Sequence, residues 1–210
     1  WPGLVEQPRG IDRIVDRPRP QRQAFRLDRV RIFPGHHGIL QIEAVEARIA
    51  MLRGDGSVAA VCAMPTMPHP SGIGTRREYD MATIRRTIDM VKLSLGGIHV
   101  CLEKQQPFPK QGGVSNYSIG HGFGLLEGLL CGMGVAYSVV HPRTWQKVML
   151  GGIGKGESKS AAAIVAARQW PELDMRKTEK CKAAHDGIVD ALLLAEYWRS
   201  TQANLESFIR

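Results

Sequence analysis

The segment HDGIVDALLLA, residues 185–195, decides how the rest of this sequence is interpreted. Apolar residues such as Ile188 and Leu192 recur in it at helical spacing, which predicts a helix with a buried face. Asp186 and Asp190 are four positions apart, so both carboxylates lie on one side of that helix. Acids at the edge of an apolar helix are costly to bury unless a positive group lies between them. The segment therefore indicates either a metal site or a solvated helix face.

A second acid follows a predicted strand in the middle of the chain. The segment IHVCLEK, residues 98–104, begins with strand-forming residues and places Glu103 where the strand ends. A metal ion bound between this strand-end carboxylate and the two helix carboxylates is one interpretation. An acid that meets water at the sheet edge is the other, and these residues alone leave both open.

Composition restricts the class of protein. The chain has 210 residues with 43% hydrophobic and 23% charged content, which is typical of a globular domain of ordinary size plus an extension. The net charge of +8 favours a polyanionic partner, most commonly nucleic acid. The four cysteines form no CxxC pair, which argues against a zinc ribbon and for a reduced, intracellular protein. No apolar run approaches the roughly 20 residues of a membrane span, so no membrane partner is predicted.

The sequence divides into three regions. Residues 1–38 are rich in Arg and Pro and are predicted to form a basic, poorly ordered extension, because this density of proline breaks helices and strands. Residues 39–203 are predicted to form the folded domain, and residues 204–210 a C-terminal tail.

Within the domain, hydrophobic periodicity and turn signals predict an order of strands and helices. Two strands flank a hairpin turn at residues 53–56, and a loop follows at residues 65–72. The remaining predicted elements are a helix over 79–95 ended by Gly96, a strand ending at Glu103, a loop over 105–116, a glycine-rich helix over 118–133, a strand over 135–140, a short helix from Thr144, an alanine-rich helix over 158–169, a basic linker over 176–182 and the acidic helix.

This order of elements resembles that of the RuvC-type Holliday-junction resolvases of the RNase H-like superfamily, especially the phage and organellar branch. The resemblance covers roughly residues 39–200. The matching motifs are Gly54-Asp55-Gly56, Met64-Pro65-Thr66, Leu102-Glu103-Lys104, the repeated glycines of 118–134, Pro142-Arg143-Thr144-Trp145-Gln146-Lys147, Lys155 with Lys159, and the segment 185–195. The resemblance implies an α/β, RNase H-like fold with a mixed five-stranded sheet flanked by helices.

The resemblance also implies a catalytic site and its cofactor. Relatives hydrolyse DNA with two Mg²⁺ ions, with Mn²⁺ as a substitute, held by four acids from the first strand, the fourth strand and the last helix. Carried over, the metal ligands and catalytic acids are Glu43, Glu103, Asp186 and Asp190. His185 is a weaker candidate beside them, and Lys159, or less directly Lys155, stabilises charge that develops on the phosphate.

The first acid departs from the family pattern. Relatives carry an Asp-Pro-Gly-type turn on strand one, whereas this chain reads IEAVEAR over residues 42–48. Glu43 takes the place of the Asp if one residue is deleted before Ile49, and Glu46 is the fallback. A Glu is one methylene longer than an Asp, and Mg²⁺ requires near-ideal octahedral geometry, so the pattern leaves cleavage itself open.

The predicted substrate is branched DNA, in particular a four-way junction, cut by a homodimer whose two-fold symmetry matches the two strands to be nicked. The location implied is the cytoplasm or nucleoid, or an organelle. Residues predicted to contact DNA are Lys104, Lys110, Lys147, Lys155, Lys159, Arg176, Lys177, Lys180 and Lys182.

Two other functions stay open at this point. One is a binding module with the same fold and a lapsed first acid, which recognises branched DNA without cutting it. The other is a different RNase H-like nuclease, acting on RNA–DNA hybrids or in transposition.

Overall fold

The computed structural model describes residues 38–42, 48–70, 77–106, 110–151 and 158–209, with side chains described for the same ranges except 38–42, 158–159 and 203–209. The predicted basic extension therefore lies outside the described residues, apart from Gly38.

The centre of the fold is a mixed five-stranded sheet, as predicted. Its strands lie in the order β3-β2-β1-β6-β7, with β2 antiparallel to β1 and β3, and with β6 parallel to β1 and β7. A separate two-stranded sheet pairs β4 with β5. The strands are β1 Gly38–Ile42, β2 Arg48–Leu52, β3 Val58–Ala63, β4 Thr66–Pro68, β5 Arg77–Tyr79, β6 Ile98–Glu103 and β7 Ala136–Val140.

Helices cover both faces of this sheet. They are α1 Met81–Leu95, α2 Gly113–Gly132, α3 Pro142–Met149, α4 Ser158–Gln169 and α5 Asp186–Ile209. Within the described ranges, none of them combines the length and the apolar character that a membrane span requires.

The strands divide the core into two clusters because successive side chains point to opposite faces. In β2, Ile49 and Met51 face a cluster formed with α1 and α2, whereas Ala50 and Leu52 face a cluster formed with α3, α4 and α5. Seven residues of α5, numbered 188–189 and 191–195, are buried in the second cluster. Both faces of β2 are therefore buried, each against a different group of helices.

Helix ends follow local chemistry. Asp80 precedes α1, and its carboxylate accepts a hydrogen bond from the backbone N–H of Thr83 at 3.0 Å. Gly96 ends the helix at φ +70°, a left-handed conformation that favours glycine. The predicted end of this helix is therefore confirmed.

Three predicted boundaries differ from the structure. The predicted loop at 65–72 contains β4. Tyr79, which was predicted to be helical, belongs to β5 and pairs with Thr66 of β4. The helix α2 begins at Gly113, inside the predicted loop, although its first turn is exposed and its glycines have low helix propensity. The helix α5 continues through the predicted tail to Ile209.

Candidate active site

Glu103 lies at the edge of the sheet formed by the C-terminal ends of the parallel strands β1 and β6. It is the last residue of β6, and the residue before it, Leu102, pairs with Ile42, the last residue of β1. The backbone N–H of Lys104 donates to the carbonyl of Val140 at 2.7 Å, which joins the chain after β6 to the end of β7. The strand-end position predicted for this acid is therefore present.

The Glu103 carboxylate is held by a tryptophan. The indole Nε1–H of Trp145 donates to Oε1 of Glu103 at 2.8 Å, and the Trp145 side chain is 1% exposed. Burial raises the pKa of the Glu103 carboxyl, while the Trp145 hydrogen bond and the nearby His141 act in the opposite direction. The carboxylate is therefore partly withdrawn from water at a fixed place.

The helix that carries Trp145 begins beside this edge. His141 caps α3, since its Nδ1 accepts from the backbone N–H of Arg143 at 3.3 Å, and Pro142 occupies the first turn, where no N–H is needed. The Nε2 atom of His141 lies 2.6 Å from Nε2 of Gln106. These contacts set the direction from which Trp145 approaches Glu103.

The start of α5 lies at the same edge. The backbone N–H of His185 donates to Met175 at 2.8 Å, and its carbonyl accepts from Ile188, which begins the helix. The Nε2 atom of His185 lies 3.4 Å from a guanidinium nitrogen of Arg48, the first residue of β2. Because the next residue of β2, Ile49, pairs with Ile42, this contact places His185 at the end of β1.

The two acids of α5, Asp186 and Asp190, come shortly after His185 in the chain. Asp186 is exposed and Asp190 is half-buried, in the first two turns of α5. Among the residues that the structure describes, no three His, Cys, Asp or Glu side chains are grouped closely enough to hold a metal ion. The remaining acid of the predicted set, Glu43, and its fallback, Glu46, lie outside the described residues.

The predicted DNA contacts fall into three groups. Lys104, Lys110 and Lys147 are exposed, and the first of these directly follows Glu103. Lys155 lies outside the described residues, and Lys159 belongs to the first turn of α4 with a side chain that is not described. The other four basic residues lie in the segment between α4 and α5, residues 170–185, which we call the α4–α5 loop.

Internal contacts give the α4–α5 loop a defined shape. Arg176 forms hydrogen bonds of 2.8 Å with both carboxylate oxygens of Asp174 and holds the pKa of that carboxyl at about 2. A backbone bridge between Arg176 and Ala184 closes the loop. Lys177, Lys180 and Lys182 are exposed on it.

Two residues at this edge were not predicted as parts of the site. Trp145 occurs in a matching motif, but nothing in the sequence indicates that its indole contacts Glu103, 42 positions away. Arg48 reaches His185 across 137 positions. Neither contact has a local sequence signal.

Comparison with known proteins identifies the fold. No protein-family model and no curated protein matches the sequence. The chain is similar to Thermus thermophilus RuvC in complex with a Holliday junction substrate, with a TM-score of 0.55 and 14% identity over 80% of this chain and 96% of that one. It is also similar to the yeast mitochondrial Holliday junction resolvase Ydc2, with a TM-score of 0.53 and 13% identity over 84% of this chain and 83% of that one. The RuvC-type fold predicted from the sequence is therefore confirmed.

Proposed function

We propose that this chain is a structure-specific endodeoxyribonuclease that resolves four-way junctions by metal-dependent hydrolysis. The observation that carries the proposal is the edge of the sheet at which Glu103 and the start of α5 come together in a RuvC-type fold. Carboxylates from a strand end and from a helix suit the binding of a hard divalent cation next to a phosphate.

The residues fit Mg²⁺ in type. Glu103, Asp186 and Asp190 offer only carboxylate oxygens, the ligands that Mg²⁺ prefers. The described acids by themselves form no group of three that could hold a metal ion, and the proposal adds Glu43 as the fourth ligand. Support for Glu43 over Glu46 comes from the chain itself, because Glu43 is bonded to Ile42, whose partner Leu102 is bonded to Glu103.

We assign each residue a part in the hydrolysis. Divalent cations, when bound, activate water and offset the negative charge of the scissile phosphate. Glu43, Glu103, Asp186 and Asp190 would hold these cations, and the fixed carboxylate of Glu103 would limit reorganisation of the site. Lys159 stabilises charge on the phosphate.

Exposed cations around this edge hold the DNA backbone. Lys104 follows Glu103, Lys147 belongs to α3, and the α4–α5 loop leads directly into His185 and Asp186. Phosphate contacts of this kind position the substrate and make binding steeply dependent on salt. Because the Arg176 guanidinium already forms an ion pair with Asp174, we expect Arg176 to stabilise the loop and to contribute less than the lysines to DNA binding.

A homodimer is part of the proposal, and α2 supplies the face for it. All residues of α2 are described. Its one charged residue, Glu127, is half-buried and neighbours Gly124 and Cys131 on the helix, and its fully exposed residues are uncharged at pH 7 with neutral histidine. They are Gly113, Val114, Ser115, Tyr117, Gly120, His121, Gly124, Leu125, Gly128, Cys131 and Gly132.

This face, which carries no Lys or Arg, suits a second copy of the chain. Two molecules of net charge +8 repel one another, so contact across a face without positive charge costs least. A side-chain carbon added at Gly124 meets no atom within 4 Å, which leaves room for a partner helix to approach closely. Exposed apolar side chains such as Tyr117 and Leu125 gain by burial there. The dimer would act where DNA recombines, in a bacterial cytoplasm or nucleoid or in an organelle.

Cleavage of a labelled four-way junction tests the function. The purified chain with Mg²⁺ should give paired, symmetric nicks, and Glu103→Gln and Asp190→Asn should abolish them while junction binding persists. Asp89→Asn is the matched control, because Asp89 is a carboxylate on α1, on the opposite face of the sheet, paired with Arg85 at 3.7 Å. A folded wild-type dimer that binds the junction and never cuts it contradicts the nuclease proposal.

The second candidate is a binding module that recognises branched DNA without cleavage. It is favoured by the incomplete set of acids among the described residues and by the longer side chain at the first acid position. Tight junction binding with no nicks in either Mg²⁺ or Mn²⁺ would support it. Cleavage of an RNA–DNA hybrid in preference to a junction would indicate another RNase H-like nuclease.

A further inference from the structure

Two buried tryptophans of this chain donate indole hydrogen bonds to acceptors of different kinds. Trp170 is 8% exposed and donates to the backbone carbonyl of Gly56 at 3.0 Å, which satisfies a buried N–H and joins α4 to the β2–β3 turn. Trp145 is 1% exposed and donates at 2.8 Å to the carboxylate of Glu103. The Gly56 carbonyl is neutral, whereas the Glu103 carboxylate can carry a negative charge with which to bind a cation.

Core packing, a helix cap and a strand contact together hold Trp145 in place next to Glu103. Its ring belongs to the core cluster that contains Val140, Leu150 and several residues of α5. Its helix is capped at His141, immediately after β7, and Lys104 ties the end of β6 to the end of β7. Both the donor and the backbone of Glu103 are therefore held by the same packed layer.

We propose that Trp145 is a positioning residue that orients the Glu103 carboxylate as a cation ligand. This inference rests on the proposed function, and it adds a residue that acts through Glu103 without touching the substrate. A hydrogen bond to Oε1 fixes the plane of the carboxylate and uses one of its lone pairs, so the group meets a cation in one orientation. Loss of such an outer partner typically weakens metal affinity by 10- to 100-fold.

The experiment compares two variants of the 210-residue chain that both lose the indole N–H of Trp145. Trp145→Phe removes the donor but also shrinks a buried ring. A second variant therefore carries β-(3-benzothienyl)alanine at position 145, which keeps the bicyclic shape and replaces the N–H by sulfur. The same two replacements at Trp170 are the matched controls, and Glu103→Gln removes the ligand itself. Circular dichroism and the unfolding midpoint confirm that each variant is folded.

Two measurements besides cleavage report on the site. Isothermal titration calorimetry with Mn²⁺ gives the affinity of each variant. Titration of the ¹⁵N-labelled chain with Mg²⁺ follows the four indole N–H signals, with that of Trp145 assigned by its absence in Trp145→Phe. We expect the Trp145 signal to shift with cation occupancy and the Trp170 signal to stay in place. We expect both position-145 variants to bind Mn²⁺ about 10- to 100-fold more weakly and both position-170 variants to bind as the wild type does.

The outcomes separate this inference from the proposed function. If Glu103→Gln loses Mn²⁺ binding but the benzothienyl variant at 145 binds as the wild type does, Trp145 is structural and only this inference is overturned. If Glu103→Gln binds Mn²⁺ as tightly as the wild type, Glu103 is not a ligand, and both the inference and the assigned metal site are overturned. A loss at position 145 equal to that at position 170 also overturns the inference, since it reports general loosening of the fold.

Discussion

The α4–α5 loop allows a quantitative test of DNA binding. The perturbation is the triple variant Lys177→Ala, Lys180→Ala and Lys182→Ala. All three side chains are exposed, and the loop that carries them is closed by the Arg176–Ala184 bridge and leads into α5. Their removal therefore takes three cations from beside the candidate active site, while the Arg176–Asp174 contacts and the Arg176–Ala184 bridge stay in place.

The expected magnitude follows from counterion release. Each phosphate contact contributes about 0.9 to the slope of log affinity against log salt concentration on duplex DNA. Three contacts contribute about 2.7, so the slope of the variant should be less steep by up to that amount. Between 50 and 200 mM salt, the wild type should then lose about 40-fold more affinity than the variant does. Arg176→Ala should change the slope less than Lys177→Ala, because Asp174 already binds its guanidinium.

The assay is fluorescence anisotropy of a labelled four-way junction in EDTA across a salt series. A second triple variant, Arg85→Ala, Arg86→Ala and Lys92→Ala, removes the same charge from exposed positions on α1, which packs on the opposite face of the sheet. Its slope should stay close to that of the wild type. Equal reductions in the two triple variants would refute the reasoning, since the slope would then report net charge alone.

Three further predictions concern assembly, stability and thiol reactivity. Gly124→Arg on α2 should convert the dimer to a monomer in light scattering and abolish paired nicks, whereas a variant that stays dimeric would exclude this face. Arg199→Met should lower the free energy of unfolding in urea by about 3 kcal/mol, because it leaves the buried Glu196 carboxylate without the two 2.6 Å contacts that Arg199 provides, and adding Glu196→Gln should recover part of that loss. Burial raises the pKa of Cys101 to about 12, so at pH 8 about one Cys101 thiol in 10⁴ is ionised. A thiol reagent should label the exposed Cys131 in the native chain but Cys101 only on unfolding, and rapid native labelling located at Cys101 by peptide mapping would contradict its burial.

Most helices and strands of the fold could be predicted because apolar spacing and turn residues are visible in short stretches of sequence. The apolar spacing of α5 indicated which of its sides faces the core, and Gly96 ended α1 where predicted. The short pair β4 and β5 was missed because its partners, Thr66 and Tyr79, are 13 positions apart within proline-rich sequence that favours a loop. Pairing of that kind depends on the rest of the fold.

The candidate site was predictable only in part, for a related reason. The spacing of Asp186 and Asp190 is a helical signal, and the position of Glu103 is a strand signal, so both could be inferred from adjacent residues. The indole of Trp145 and the guanidinium of Arg48 reach their partners across the sheet edge, at separations that no motif records. Sequence identified the acids but not the residues that surround them.

The register of the sheet bears on the one acid that the sequence left ambiguous. An ungapped comparison with relatives puts Ile42 at the position of the first acid, yet Ile42 pairs with apolar residues on both sides, Leu102 in β6 and Ile49 in β2. Glu103 is one residue after Leu102 and Glu43 is likewise one residue after Ile42, whereas Glu46 is three residues further along the chain. We therefore propose Glu43, and not Glu46, as the first acid.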